Sequence, residues 1–286
     1  MNPSISLVNP PQMVPDMPLC AFPILKAALN DHGIQSKIVD SNIEYYHTLL
    51  SEENLRNHGQ VPQECKTLDN FLGTVQEAKR DLRRILSFNE LGKYPVARRV
   101  LDNTLDFLVK KYDSSLALIS SSLSYANSES GQVEAALSDR KRNPYISFFE
   151  RNLEPIVRSG IVGIGILVPE QIIPTFTLAQ LIKDNFPSTK IILGGNTFTR
   201  VRNGIENSSL SKLYDYSLSS EADDSLPRLL KEIVAGRTPS PQEVLKMEEG
   251  TPSVKERSLP DWSDCNFAEY FSPAPVTTIL GARGCY

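Results

Sequence analysis

The tightest constraint on this chain is the stretch 161–196, IVGIGILVPEQIIPTFTLAQLIKDNFPSTKIILGGN. It opens with an almost unbroken apolar run over 161–168, rich in β-branched residues and too short to span a membrane. Such a run predicts a strand buried on both faces, as in a parallel sheet. An amphipathic helical pattern follows over 174–186, with Phe176, Leu178, Leu181 and Ile182 to one side. A second apolar run, Ile191-Ile192-Leu193, breaks at Gly194-Gly195-Asn196. Strand, helix, strand in so short a span is one βαβ unit, which closes right-handed. Ligands of open α/β sheets sit beyond the carboxyl ends of the strands. Val168-Pro169-Glu170-Gln171 forms one such end, and Gly194-Gly195-Asn196 another.

The start of the chain reads as a second unit of this kind. A short strand over 5–8 is stopped by Asn9-Pro10-Pro11, because proline brings no amide hydrogen to a ladder. A helix over 21–30 turns Phe22, Leu25, Ala28 and Leu29 inward, and 37–40 is the next strand. The return strand is delayed until residue 161. Between them, 68–86 and 96–112 repeat apolar residues at helical spacing. Residues 116–125 fit helix and extended chain equally, and 144–157 reads as a helix leading into the strand at Ile161. After Asn196 come a helix over 198–208, a fifth strand over 213–218, the loop Ser219-Ser220-Glu221, and a helix over 225–235. The expectation is a doubly wound, parallel, five-stranded Rossmann-like α/β domain of flavodoxin-like order. It would comprise 1–40 and 155–236, with 41–154 as a mostly helical insertion. Residues 237–257 read as a proline-rich linker and 276–280 as one more strand.

A net charge of −4 gives no argument for nucleic acid or an anionic membrane as partner. No apolar stretch reaches membrane-spanning length and no signal peptide is visible, so a cytoplasmic location is the default expectation. Cys20, Cys65, Cys265 and Cys285 form neither a CxxC pair nor a disulfide framework, and Cys20 and Cys65 read as packed inside. His32 reads as a helix C-terminal cap, and His47 and His58 as solvated residues of the insertion. The glycine fingerprint of dinucleotide folds, the phosphate-loop lysine and the nucleophile elbow are all absent.

Taken together, a set of pieces resembles the N-terminal part of radical S-adenosylmethionine proteins that carry a cobalamin-binding domain. The pieces are Ser6-Leu7-Val8-Asn9-Pro10-Pro11, Val162-Gly163-Ile164-Gly165, Ile192-Leu193-Gly194-Gly195-Asn196 and the run 215–221. Leu259-Pro260-Asp261-Trp262, Tyr270-Phe271 and Arg283-Gly284-Cys285-Tyr286 follow after the linker. The insertion and the Glu-Tyr-Phe stretch are most similar to members that modify peptides or small natural products. The resemblance implies cobalamin as cofactor, lined by Asn9, Pro10, Pro11, Val168, Pro169, Glu170, Gly194, Gly195, Asn196, Ser219, Ser220 and Glu221. It also implies that Cys285 opens a CxxxCxxC motif for a [4Fe–4S] cluster, on which S-adenosylmethionine would bind.

Three departures qualify this. Cys285 is the penultimate residue, so the cluster and S-adenosylmethionine are not expected on this chain alone. The chain then reads as a fragment or one half of a split enzyme, inactive by itself, with a separate barrel chain among its implied partners. Asp16 is followed by Met17-Pro18-Leu19, without the histidine that many cobalamin domains place on cobalt. Ser219-Ser220 also stands where relatives often have glycines, and Glu221 suits a helix start better than a ligand contact. Read from the residues alone, Asn9-Pro10-Pro11 serves equally as a strand stop, and Gly194-Gly195 as a tight turn or a close approach to a ligand. The alternative is a non-enzymatic α/β binding module without a cofactor. A sugar-nucleotide or dinucleotide enzyme on the same fold rests on analogy alone.

Overall fold

A computed structural model describes residues 4–84, 90, 92–112, 115–116, 121–122, 125, 127–249 and 258–278. In chain order, β1 (Ser4–Asn9), α1 (Ala21–Asp31) and β2 (Gln35–Asp40) come first. The helices α2 (Ser41–Leu49), α3 (Glu52–His58), α4 (Leu68–Leu82) and α5 (Lys93–Val109) follow. Two-residue strands β3 (Ser115–Leu116) and β4 (Ser121–Ser122) pair antiparallel, so these residues of 116–125 are extended rather than helical. Then come α6 (Ser130–Ser138), α7 (Pro144–Val157), β5 (Ile161–Gly165), α8 (Ile172–Asn185), β6 (Lys190–Gly194) and α9 (Asn196–Glu206). The last elements are β7 (Tyr216–Ser217), α10 (Ala222–Val234) and α11 (Pro241–Glu248).

The five long-range strands form one all-parallel sheet in the order β2-β1-β5-β6-β7. Alternation along each strand separates two apolar layers. Ile5, Leu7, Ile161, Ile192 and Tyr216 point to the face that holds Phe22 and Leu29 of α1 and Leu226 and Leu229 of α10. Val8, Val162, Ile164, Ile191 and Leu193 point to the face of Phe149 in α7, Phe176 in α8 and Phe198 in α9.

The second layer runs unbroken into the insertion: Tyr45, Leu55, Phe71, Val75, Leu101, Leu105 and Val133 belong to the same buried cluster. The helix starts are set by local chemistry. Asp40 accepts from the amides of Asn42 and Ile43, Ser51 from Asn54, Thr67 from Asn70, and Asn143 from Tyr145 beside Pro144.

Three expectations change. The fifth strand is only Tyr216–Ser217, because Ser209–Leu213 forms a 3-10 turn. The presumed linker contains α11, begun by a reciprocal Ser240/Glu243 cap with Pro241 in the first turn and anchored by buried Val244. Within 276–280, residues Val276, Thr277 and Thr278 are exposed and unpaired as strand, and Ile279 and Leu280 lie outside the described residues.

Residues 258–271 form a strap over the β2 edge of the sheet. Asp264 accepts from the Ile38 amide at 2.9 Å and from Lys26 Nζ at 2.5 Å. The Asp261 amide donates to Pro23 O, and that of Phe271, fully buried, to Pro15 O. Free amides on an edge strand invite pairing with another chain, and the strap removes the one at Ile38.

Candidate functional site: a cleft floored by glycine

On the α1/α10 face, α1 covers β1 and β2 while α10 covers β6 and β7. Between them the carboxyl-end half of β5 is bare of side chains, because beyond Ile161 its residues on that face are Gly163 and Gly165. Register places Gly165 beside Gly194 of β6. The three glycines floor a cleft of about 90 Å³ beneath its open mouth. That is well below the roughly 300–1,000 Å³ usual for whole small-molecule sites, so it takes only an inserted part of a ligand. Phe22 and Leu25 of α1 form one wall, Ala222 and Leu226 of α10 the other, and Leu218 and Ser220 the rim. A methyl on Gly165 would come within 3.0 Å of the Phe22 ring, and one on Gly163 within 3.2 Å of Ile5. The cleft exists because the sequence withholds side chains there.

Gly194 and Gly195 do different work. A Cβ on Gly194 would make ordinary contact, 3.4 Å from Leu218 O, so this glycine leaves space. Gly195 has φ +103°, and its Cβ would stand 2.5 Å from Ile166 O. It lets the β6–α9 turn close on the end of β5, where Ile166 O accepts from the Thr197 amide at 3.0 Å and Leu167 O from Thr197 Oγ1 at 2.9 Å.

The expected residues fall into two groups. Gly194, Gly195 and Ser220 line the cleft. Ser219 is turned away, with its hydroxyl accepting from Arg202 Nη1. Asn196 is exposed at the start of α9, and Glu221 is the residue before α10, as its helix-start reading required.

Asn9, Pro10 and Val168 belong instead to a polar knot above the junction of β1 and β5, with Pro11, Pro169 and Glu170 beside it only in sequence. Gln171, fully buried, donates to Asn9 Oδ1 at 2.9 Å and Pro10 O at 2.7 Å, and accepts from the amides of Leu167 and Val168. Asn9 in turn donates to Asp40 Oδ1, whose other oxygen accepts from Tyr270 at 2.5 Å. Burial pushes the Asp40 carboxyl above its ordinary pKa, against four donors that favour the charge. In this knot Asn9 serves as strand stop and splice.

At the base of β7, burial works against the charge of Asp215, yet Lys183, the Ile191 amide and Lys190 hold its carboxyl below the ordinary value. Lys183 and Lys190 sit at 2.6 and 3.0 Å.

Asp16, in the loop after β1, is paired with Arg98 of α5 at 2.9 Å. His32 caps α1 as expected, near Ala28 O. His47 and His58 are not solvated: His47 lies 2.9 Å from Glu269 O and edge-on to Phe271, and His58 packs on Phe107. Cys20 and Cys65 are half-buried rather than enclosed. Among the described residues no three His, Cys, Asp or Glu gather as a metal site, and Cys285 lies outside them. Among them too, no helix is long and apolar enough to cross a membrane.

Sequence reasoning missed Gly163, Gly165, Phe22, Leu25, Leu218 and Leu226 as cleft residues. The signal was present in Gly163 and Gly165, two glycines on one face of an otherwise β-branched strand. Comparison with protein-family models, curated proteins and solved structures found no match to this chain.

Proposed function

We propose that this chain is a cobalamin-binding α/β module of the radical S-adenosylmethionine type, taking the flat base of the cofactor's nucleotide tail into the glycine-floored cleft. The observation that carries the reading is the cradle itself: Gly163, Gly165 and Gly194 lie where any Cβ would narrow it. Phe22, Leu25, Leu218 and Leu226 exclude water from an inserted ring, and Ser220 offers a hydroxyl at the mouth. A bound cobalamin would supply a cobalt centre able to carry a methyl group. The loop after β1 offers that centre no histidine, and its Asp16 is already paired with Arg98. The [4Fe–4S] and S-adenosylmethionine chemistry of the resembling family is assigned to none of the described residues, and no step is derived through it.

A second reading, a binding module without a cofactor, is favoured by one observation: the Phe22 ring lies directly over Gly165 and fills part of the cleft. Absorbance titration with hydroxocobalamin separates the two. Wild type should saturate, while Gly194→Val should lose binding and keep its thermal unfolding profile. A wild-type chain that shows no saturable binding leaves the second reading standing.

A further inference from the structure

The rim of the cleft is tied down by a carboxylate of the same chain. Glu248, the last residue of α11, places Oε1 at 2.5 Å from the Ser219 amide, 2.8 Å from the Ser220 amide and 3.1 Å from Ser220 Oγ. Three donors converging on one oxygen make a seat for an oxyanion, and Glu248 shows that the seat takes one. Ser220 also lines the cleft, so seat and cleft share a wall. A cation stands beside it, since Arg202 donates to Ser219 Oγ.

We propose that Glu248 is an internal latch: its carboxylate occupies the seat that a monoanionic phosphodiester on the cleft's ligand takes when that ligand binds, and α11 is displaced in the exchange. The proposal rests on the cleft being a ligand site, as argued above, and adds how entry is regulated. The charge class follows from the surroundings. Asp223 and Asp224 stand in the first turn of α10, so a dianion meets more repulsion than the single charge already accommodated. The ligand class follows from the shared wall, an apolar slot that fits a flat ring next to a seat that fits one negative charge. Displacement breaks few contacts because α11 has eight residues, with Val244 its one buried side chain and Met247 partly buried against the same layer.

The test uses the whole chain and needs no cofactor in its first arm. Dimethyl phosphate is titrated into wild type and Glu248→Ala while the Ser219 and Ser220 amide resonances are followed. Saturable shifts at those two amides are expected in Glu248→Ala, at a Kd at least tenfold below that of wild type. Equal affinity in both proteins, or no shift at these amides, overturns the latch. Glu248→Gln, which keeps an oxygen acceptor without the charge, should fall between them.

The second arm compares hydroxocobalamin with cobinamide, which lacks the nucleotide tail. Glu248→Ala should bind cobalamin about tenfold tighter than wild type and cobinamide equally well. Cobalamin binding that is indifferent to Glu248 sinks the latch and leaves the cofactor assignment intact. Dimethyl phosphate binding restricted to Glu248→Ala, with no cobalamin binding by either protein, does the reverse.

Discussion

Two adjacent glycines should respond to alanine with opposite signs. Gly195 has φ +103° and ψ 160°, a region that only glycine occupies readily and that costs other residues about 1–3 kcal/mol. Its Cβ would stand 2.5 Å from Ile166 O and 2.9 Å from Ile166 C and N, all backbone atoms that cannot rotate away. Forcing atoms into a packed region costs a further ~1–3 kcal/mol. Gly195→Ala should therefore lose roughly 2–6 kcal/mol, a large part of the ~5–15 kcal/mol that holds a typical domain. Gly194, one residue earlier, has an ordinary φ and room for a methyl 3.4 Å from Leu218 O. Gly194→Ala should be neutral or gain about 0.4–1 kcal/mol, since alanine restricts the unfolded chain. Urea unfolding followed by far-UV circular dichroism reads both, with an unchanged slope required before midpoints are compared. A loss below about 1 kcal/mol at Gly195, or equal losses at the two positions, would refute the assignment of Gly195 to chain closure and Gly194 to the cleft.

Three more outcomes concern the strap. Removing one partner of a buried ion pair costs about 3–5 kcal/mol. The Asp264 side chain is 24% exposed, so screening reduces Asp264→Ala to roughly 1–3 kcal/mol. The sole tryptophan, Trp262, packs on Phe267 within the strap, and an unshifted urea midpoint in its emission would count against the pairing with Lys26. Burial, with Asp40 and Asp264 adding negative charge, pushes the Cys265 thiol up to about 11. Its alkylation at pH 8 should then run about 200-fold slower than that of a free thiol of pKa ~8.5. Site-resolved mass spectrometry giving a rate like that of a free peptide would sink this. Burial lowers the pKa of His47, outweighing the Glu269 carbonyl beside it. The unfolded chain therefore takes up the proton first, and the stability His47 contributes is present above about pH 6.5 and lost as pH falls through it. Stability measured from pH 7.5 to 5.5 should fall less steeply in His47→Gln, and identical slopes would exclude the mechanism.

The sheet was legible because its strands are unambiguous in period and length. Residues 161–165 and 191–194 are apolar on both faces, and the helix between them is long enough only for a parallel crossover. Two things were hidden. The short fifth strand owes its place to Asp215, whose carboxylate gathers Lys183, Lys190 and the Ile191 amide, contacts that no local pattern announces. The strap was hidden because 258–271 has neither helical nor strand period, and its burial comes from partners more than two hundred residues away, such as Tyr270 with Asp40. At the site, reasoning from strand ends found Ser220 of the rim and Gly194 of the floor, but not Gly163 and Gly165 beside it. A missing side chain matters only when its register neighbour is also missing one, and the pairing of Gly165 with Gly194 is a property of the folded sheet.

The same contacts decide which wall of the cleft can move. The wall from α1 is pinned at several points. The loop leading into it is tied to the insertion through Asp16 with Arg98, and through Gln12, which donates to Tyr46 and accepts from Tyr145. Along its length α1 is tied to the strap through Pro23 O with the Asp261 amide and through Lys26 with Asp264. These ties join separate parts of the fold, so shifting α1 would break several at once. The opposite rim, Ser219-Ser220, is held by Thr199 and Arg202 of α9 and by Glu248. Of these, only the Glu248 contact rests on a helix with a single buried anchor. A ligand entering the cleft therefore meets a fixed wall carrying one rotatable ring, Phe22, and a rim whose weakest tie is a carboxylate. Entry should proceed by turning that ring off Gly165 and releasing that carboxylate, with the sheet and α1 remaining in place.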